Sequence, residues 1–195
     1  LRQEEVAALQ QELYKYYGVY IRYRTLRDYI YPIASHVLGS VGEVNQRDLD
    51  RDKYYAVGDY SGRDGIERTY EKALRGEKGL KVFMRDSRGR VQGRYKNGEL
   101  DKSAITGENL YLGLDIQTQL VAEKLMQGKV GSIVAKETKT GEVLALVSSP
   151  NWDPSTLVGQ DRSANYQALL TDSLKPLMNR ATQAQYSPGS TFKVL

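Results

Sequence analysis

Residues 131–150 read GSIVAKETKTGEVLALVSSP. Two apolar runs flank Lys139-Thr140-Gly141, and a glycine that can take positive φ at that point predicts an antiparallel hairpin. The runs are nearly continuous in apolar residues, so both faces of the hairpin are expected to be covered. Immediately upstream, LYLGLDIQTQLVAEKLMQG (110–128) predicts a strand followed by an amphipathic helix. Asp115 stands at the N-cap position, Leu120, Leu125 and the apolar positions between them form the expected buried stripe, and Gly128 supplies the stop. Downstream, NWDPSTLVGQDRSANYQALLTDSLKPLMNRATQAQ (151–185) reads as loop and short helix leading to YSPGSTFKVL (186–195).

Working back towards the amino terminus, the texture is more irregular. LRQEEVAALQQELYKYY (1–17) places Val6, Leu9 and Leu13 on one helical face, and Gly18 ends it. VYIRYR (19–24) alternates with a period of two and predicts a strand. YPIASHVLGSVGEV (31–44) predicts a turn and a short apolar stretch broken by Gly39 and Gly42. RDLDRDKYYAVGDYSGRDG (47–65) is charged and turn-rich, the pattern of an exposed excursion. GIERTYEKALRGEKG (65–79) predicts a short helix with Ile66, Tyr70 and Leu74 on one face. LKVFMRDSRGRVQGRY (80–95) predicts two strands around a turn. The expected fold class is therefore α+β: a small irregular module over 1–106, then a strand, helix and hairpin that open a second unit over 107–195.

The bulk numbers permit this. The chain has 195 residues, 40% hydrophobic and 27% charged, ordinary for a globular protein and too apolar for a disordered one. The net charge of +4 is modest and spread along the sequence, and no base-reading motif accompanies it, so nucleic acid is not an expected partner. The absence of cysteine removes disulfide frameworks and thiolate catalysis. No apolar run approaches the roughly 20 residues of a membrane-spanning helix. Fifteen tyrosines against two phenylalanines is unusual, and seven of them (Tyr14, Tyr16, Tyr17, Tyr20, Tyr23, Tyr29, Tyr31) cluster early, where amphipathic rings suit a sheet face or a partner surface.

Three short strings carry chemistry. Serine acyl-transfer enzymes that recognise penicillin combine S-x-x-K, S-x-N and K-T-G. The sequence holds Ser190-Thr191-Phe192-Lys193, Ser163-Ala164-Asn165 and Lys139-Thr140-Gly141, but in the reverse order. Lys139-Thr140-Gly141 falls in the hairpin turn and Ser163-Ala164-Asn165 in a polar loop, so both are read as structural. An isolated S-x-x-K is ordinarily a serine N-cap with a solvent-facing lysine. Here Pro188 and Gly189 force a turn and Ser190 then starts a helix, which sets its hydroxyl beside free N–H groups and the positive end of the dipole. Lys193 follows on the same face, and desolvation or nearby positive potential would let it act as a base.

Over nearly its whole length the sequence resembles class B penicillin-binding proteins, the monofunctional D,D-transpeptidases, and within them the elongation type. NRATQAQYSPGSTFK (179–193) resembles their active-serine segment, and residues 131–155 resemble the opening of their transpeptidase domain, where the T-G-E turn is not catalytic. GRDGIERTYEKALRGEKG (62–79) and YPIASHVLGSVGEV (31–44) are similar to motifs of their pedestal domain. The family's R-x-Y-P is stretched here to Arg27-Asp28-Tyr29-Ile30-Tyr31-Pro32. The resemblance implies Ser190 as the acylated nucleophile, Lys193 as its general base and the Ser190 N–H as one oxyanion donor. It implies His36, Glu67, Glu71 and Arg75 as pedestal residues of packing and inter-domain salt bridges. The implied reaction uses no cofactor and no metal. Implied partners are peptidoglycan stem peptides and β-lactams, together with the rod-complex scaffold and a membrane glycosyltransferase. The implied place is the periplasmic face of the inner membrane, reached through a helix outside this chain. The family's S-x-N and K-T-G are expected beyond Leu195, which makes the chain an expected fragment, inactive by itself. A β-lactamase or β-lactam sensor shares S-x-x-K, but the long module before Ser190 argues against it.

Overall fold

The structure is a computed structural model that describes residues 3–16, 18–19 and 26–194. The expected strand over 19–24 lies almost entirely outside the described residues, as do Tyr17, Tyr20 and Tyr23. In chain order the elements are α1 (Gln3–Glu12), α2 (Ser35–Leu38), β1 (Val41–Glu43), α3 (Gln46–Arg51), β2 (Tyr60–Gly62), α4 (Gly65–Thr69) and α5 (Glu71–Leu74). They continue through β3 (Phe83–Arg85), β4 (Val91–Arg94), α6 (Ile116–Met126), β5 (Gly131–Lys136), β6 (Val143–Ser149), α7 (Arg162–Thr171) and α8 (Arg180–Gln183). Each sheet is a two-stranded antiparallel pair: β1 with β2, β3 with β4, and β5 with β6. The class is α+β, as the sequence predicts.

The first part departs from the sequence reading in detail. The stretch expected to be an exposed excursion holds α3 and β2. Asn45 caps α3 through a reciprocal capping box, its side chain accepting from the Asp48 N–H while Asp48 accepts from the Asn45 N–H. β2 pairs with β1, Gly42 opposite Ser61. The single helix expected over 65–79 is broken into α4 and α5 at Tyr70, whose φ of −106° and ψ of 21° leave the helical region. Tyr70 is 48% exposed, so the expected apolar face does not form as one stripe. The expected turn between two strands over 80–95 is present as β3 and β4.

The second part is built on α6 and the β5–β6 hairpin. Asp115 caps α6, accepting from the Thr118 N–H at 2.7 Å. The strand expected over 110–114 is absent; the Asp115 N–H instead donates to the Leu144 carbonyl at 2.9 Å. The buried stripe also differs. α6 turns Gln119, Ala122 and Met126 inward, while Leu125 is 57% exposed. Small or narrow side chains let the helix lie close on the hairpin, where Ala122, Met126, Ala145 and Val147 form the core with Ile133 and Ala135 against it. β5 alternates between half-buried and exposed positions, so the expectation that both hairpin faces are covered is not met.

Gln119 does more than fill space. Buried beside β6, it accepts from the Leu146 N–H at 2.8 Å and donates to the Leu146 carbonyl at 3.0 Å, taking the place of a neighbouring strand. The two parts meet through hydrogen bonds. The Ala34 N–H donates to the Glu123 carboxylate at 2.6 Å, Arg162 donates to the Val41 carbonyl at 2.9 Å, and His36 reaches the Pro176 carbonyl at 2.8 Å.

Candidate active-site segment

The chain reaches Ser190 by a well-anchored route. Pro176 is buried, and Arg180 at the start of α8 is 8% exposed. The Asn179 side chain caps α8 by accepting from the Ala181 N–H at 3.1 Å. Residues 184–188 then run without regular structure to Gly189, whose φ of +57° turns the chain into a 3₁₀ helix over Gly189–Val194. Glycine suits that left-handed position, and Pro188 holds the residue before it extended. A 3₁₀ helix has three residues per turn, so positions i and i+3 eclipse and Ser190 and Lys193 share one face.

Both side chains are exposed. What this segment itself provides is a serine near a helix start and a lysine on the same edge.

The other two strings take up structural roles. Residues 138–140 form the hairpin turn, closed by the Gly141 N–H on the Glu137 carbonyl at 2.9 Å with Gly141 at a φ of +81°. Ser163-Ala164-Asn165 lies on the first turn of α7 and not in a loop, and the Asn165 side chain donates to the Thr156 carbonyl at 2.8 Å.

The four pedestal residues divide into two sets. Glu67 takes Arg27 in a two-point contact, Nε to Oε1 at 2.7 Å and Nη2 to Oε2 at 2.8 Å. Glu71 accepts from the Tyr55 hydroxyl at 2.8 Å and the Gly62 N–H at 2.7 Å. Burial, together with that carboxylate, pushes the Tyr55 phenol up to about 12. Arg75 pairs with Asp52 at 2.7 Å and stacks on the Tyr54 ring with 3.9 Å to its centroid. Arg27, Tyr54, Glu67, Glu71 and Arg75 line a cleft of about 450 Å³. All the pairs close among residues 27–75, so the expected salt bridges between the two parts are not what Glu67, Glu71 and Arg75 make.

His36 alone of the four crosses to the second part. Its ring stands edge-on to Trp152, centroids 4.5 Å apart, and Nε2 faces the Pro176 carbonyl. Burial is the main cause that lowers its pKa, with the Arg180 charge adding and the Pro176 and Met178 carbonyls opposing. The sequence reading singled out His36 but not Trp152, Arg180 or Glu123. Trp152 is the only tryptophan in the chain, which was the one available signal.

The model of the penicillin-binding protein dimerisation domain matches residues 1–112, and that of the penicillin-binding protein transpeptidase domain matches residues 131–195. The peptidoglycan D,D-transpeptidase MrdA of Escherichia coli K12 is 38% identical over 201 residues, covering 99% of this chain and 31% of that protein. In the solved complex between penicillin-binding protein PBP2 and MreC from Helicobacter pylori, a chain 29% identical superposes with a TM-score of 0.79, covering 100% of this chain and 36% of its own length. A chain in a structure describing how a peptidoglycan synthase complex coordinates polymerization and crosslinking is 30% identical with a TM-score of 0.73, covering 99% of this chain and 36% of its own. The chain thus spans about a third of the length of the relatives it matches.

Proposed function

From the premise that the chain belongs to the penicillin-binding proteins, we propose that it forms the pedestal and the opening part of the transpeptidase domain of a peptidoglycan D,D-transpeptidase of cell-wall elongation. Residues 1–106 are the pedestal, and 107–195 begin the catalytic domain and carry its nucleophile. The observation that supports this most is the S-x-x-K placed on a 3₁₀ helix, which aligns Ser190 with Lys193.

In this reading the neutral Lys193 amine takes the proton of the Ser190 hydroxyl as its Oγ attacks the carbonyl of a D-Ala-D-Ala peptide bond. The Ser190 N–H donates to the oxyanion of the tetrahedral intermediate. Lys193 returns the proton to the departing D-Ala amine, leaving an ester on Ser190. An amine of a neighbouring strand then attacks that ester, and Oγ leaves with a proton. A β-lactam enters by the same attack, and its opened ring stays attached as the ester. The protein works at the periplasmic face of the inner membrane.

Labelling with a fluorescent penicillin tests the assignment. The gene product carrying this sequence is expected to take up one label at Ser190, located by peptide mass spectrometry and abolished in Ser190→Ala. The 195-residue chain holds only one of the three motifs in usable order, so by itself it is expected to stay unlabelled. Label on another residue, or strong labelling of the chain alone, would overturn the reading.

A second role is compatible with the first. Tyr14 is 82% and Ile30 85% exposed on the first part, and the Helicobacter pylori relative is solved as a complex with MreC. The pedestal is read as a docking surface for the rod-complex scaffold and for a membrane glycosyltransferase. Replacing Tyr14, Tyr16 and Tyr31 with alanine is expected to weaken scaffold binding in a pull-down or calorimetric titration. Unchanged affinity would remove this surface from the interface.

A further inference from the structure

We propose that His36 is a positioning residue for Ser190: it ties the pedestal to the stretch that sets the path of the chain into the S-x-x-K helix. The proposal rests on the assignment of Ser190 as nucleophile. Its basis is how residues 174–178 are held. Pro176 has no N–H, and the stretch lies between α7 and α8, outside any ladder. Its carbonyls are held by side chains instead. Arg180 donates through Nη1 to the Lys175 carbonyl at 3.0 Å and through Nη2 to the Leu174 carbonyl. Ser148 of β6 donates to the Met178 carbonyl at 3.0 Å and accepts from the Arg180 N–H at 2.9 Å. His36 supplies the bond to the Pro176 carbonyl. Four carbonyls in five residues are thus held by three side chains, and only His36 comes from the first part.

The histidine is itself fixed from several sides. Ala34, the N-cap residue of α2, sits in the left-handed region at φ +57°, a strained conformation for an alanine. Its N–H is held by Glu123 of α6, which also accepts from Gln119 at 2.9 Å and Asn151 at 2.8 Å. At the other end of α2, Gly39 at φ +82° leaves no room for a side chain: an added Cβ would fall 2.1 Å from the Asp64 carbonyl oxygen. Trp152 closes one side of the ring. Strain accepted at Ala34 and a glycine demanded at Gly39 both serve to hold a four-residue helix whose histidine points across the junction.

The charged groups facing the imidazole are Arg180 of α8 and the Asp64 carboxylate before α4, while the nearby Glu123 is engaged on the Ala34 N–H. Neutral, the ring donates one hydrogen to the Pro176 carbonyl. Protonated, it adds a buried positive charge beside Arg180, which loosens the junction.

The gene product carrying this sequence is compared with its His36→Ala and His36→Gln variants by the acylation rate of a fluorescent penicillin and by amide hydrogen exchange of residues 174–180. Alanine is expected to slow acylation on the order of tenfold to a hundredfold, in the chemical step and not in penicillin affinity, with label still confined to Ser190. The same variant is expected to exchange faster over 174–180. Glutamine retains an N–H for Pro176, so it is expected to recover most of the rate and to lack the extra fall expected of the wild type as pH drops through the lowered pKa of the buried imidazole. Alanine at the wild-type rate, or glutamine no better than alanine, would overturn the proposal. A wild type that takes no label defeats the assignment of Ser190, not the clamp; equal exchange in wild type and alanine variant defeats the clamp.

Discussion

At the scale of the residue, His36 has a consequence for stability that is independent of chemistry. In the unfolded chain the imidazole binds a proton near pH 6.5, and in the folded chain at a lower pH, because burial penalises the charged ring. Between those two values the unfolded state holds more protons, so the stability present above about pH 6.5 is lost as pH falls. Asp48 and Asp115 run the other way. Asp48 is held below the ordinary carboxylate range chiefly by the Asn45 N–H, and Asp115 chiefly by the Thr118 hydroxyl. Their contribution is present above about pH 3.9 and disappears only below it, so the windows separate. Urea unfolding is expected to show wild-type stability falling between pH 7.5 and 5.5 by at most about 1.4 kcal/mol per pH unit, with His36→Gln flat over the same range. A wild type as flat as the glutamine variant would place the imidazole in water. What was readable from sequence was a residue whose partner lies close in the chain, Asp115 with Thr118. His36 could be named but its role could not, because the carbonyl it meets stands 140 residues later.

At the scale of the element, the hairpin and the cap of α6 were legible because a turn glycine and a capping aspartate leave local signatures. The face that α6 buries was legible only in part. The stripe from Leu120 to Leu125 takes in Ala122, but close approach to the hairpin leaves Leu125 exposed and selects Met126, with a glutamine between the helix and β6. α3 and β2 were missed for related reasons. The capping pair Asn45 and Asp48 is present in the sequence but is masked by charge, and a three-residue strand is too short to show alternation. Gln119 yields a direct test. Gln119→Leu keeps the volume but leaves the Leu146 N–H and carbonyl without partners, each costing about 1–3 kcal/mol. Chemical denaturation is expected to register a loss of that size; a change below about 1 kcal/mol would mean water replaces the amide.

At the scale of the whole molecule, three separate two-stranded sheets are present among the described residues, and the buried apolar cluster lies between α6 and the β5–β6 hairpin. The surface records this: 15,090 Å² is accessible, where a compact monomer of 22.0 kDa exposes roughly 9,300 Å². The way the parts are joined was not legible in the sequence, since it depends on main-chain carbonyls and N–H groups that leave no trace in residue identity. The amide of Gln119 also gives the hairpin a direction. Leu146 and Leu144 turn their main-chain groups away from β5, and α6 occupies them. The register sets Val134 opposite Leu146, so the Val134 N–H and carbonyl point to the far rail of β5, where no described strand lies. One rail is sealed and the other is open. The hairpin sheet can therefore widen only beyond β5, and that edge offers copies of this chain a strand on which to stack.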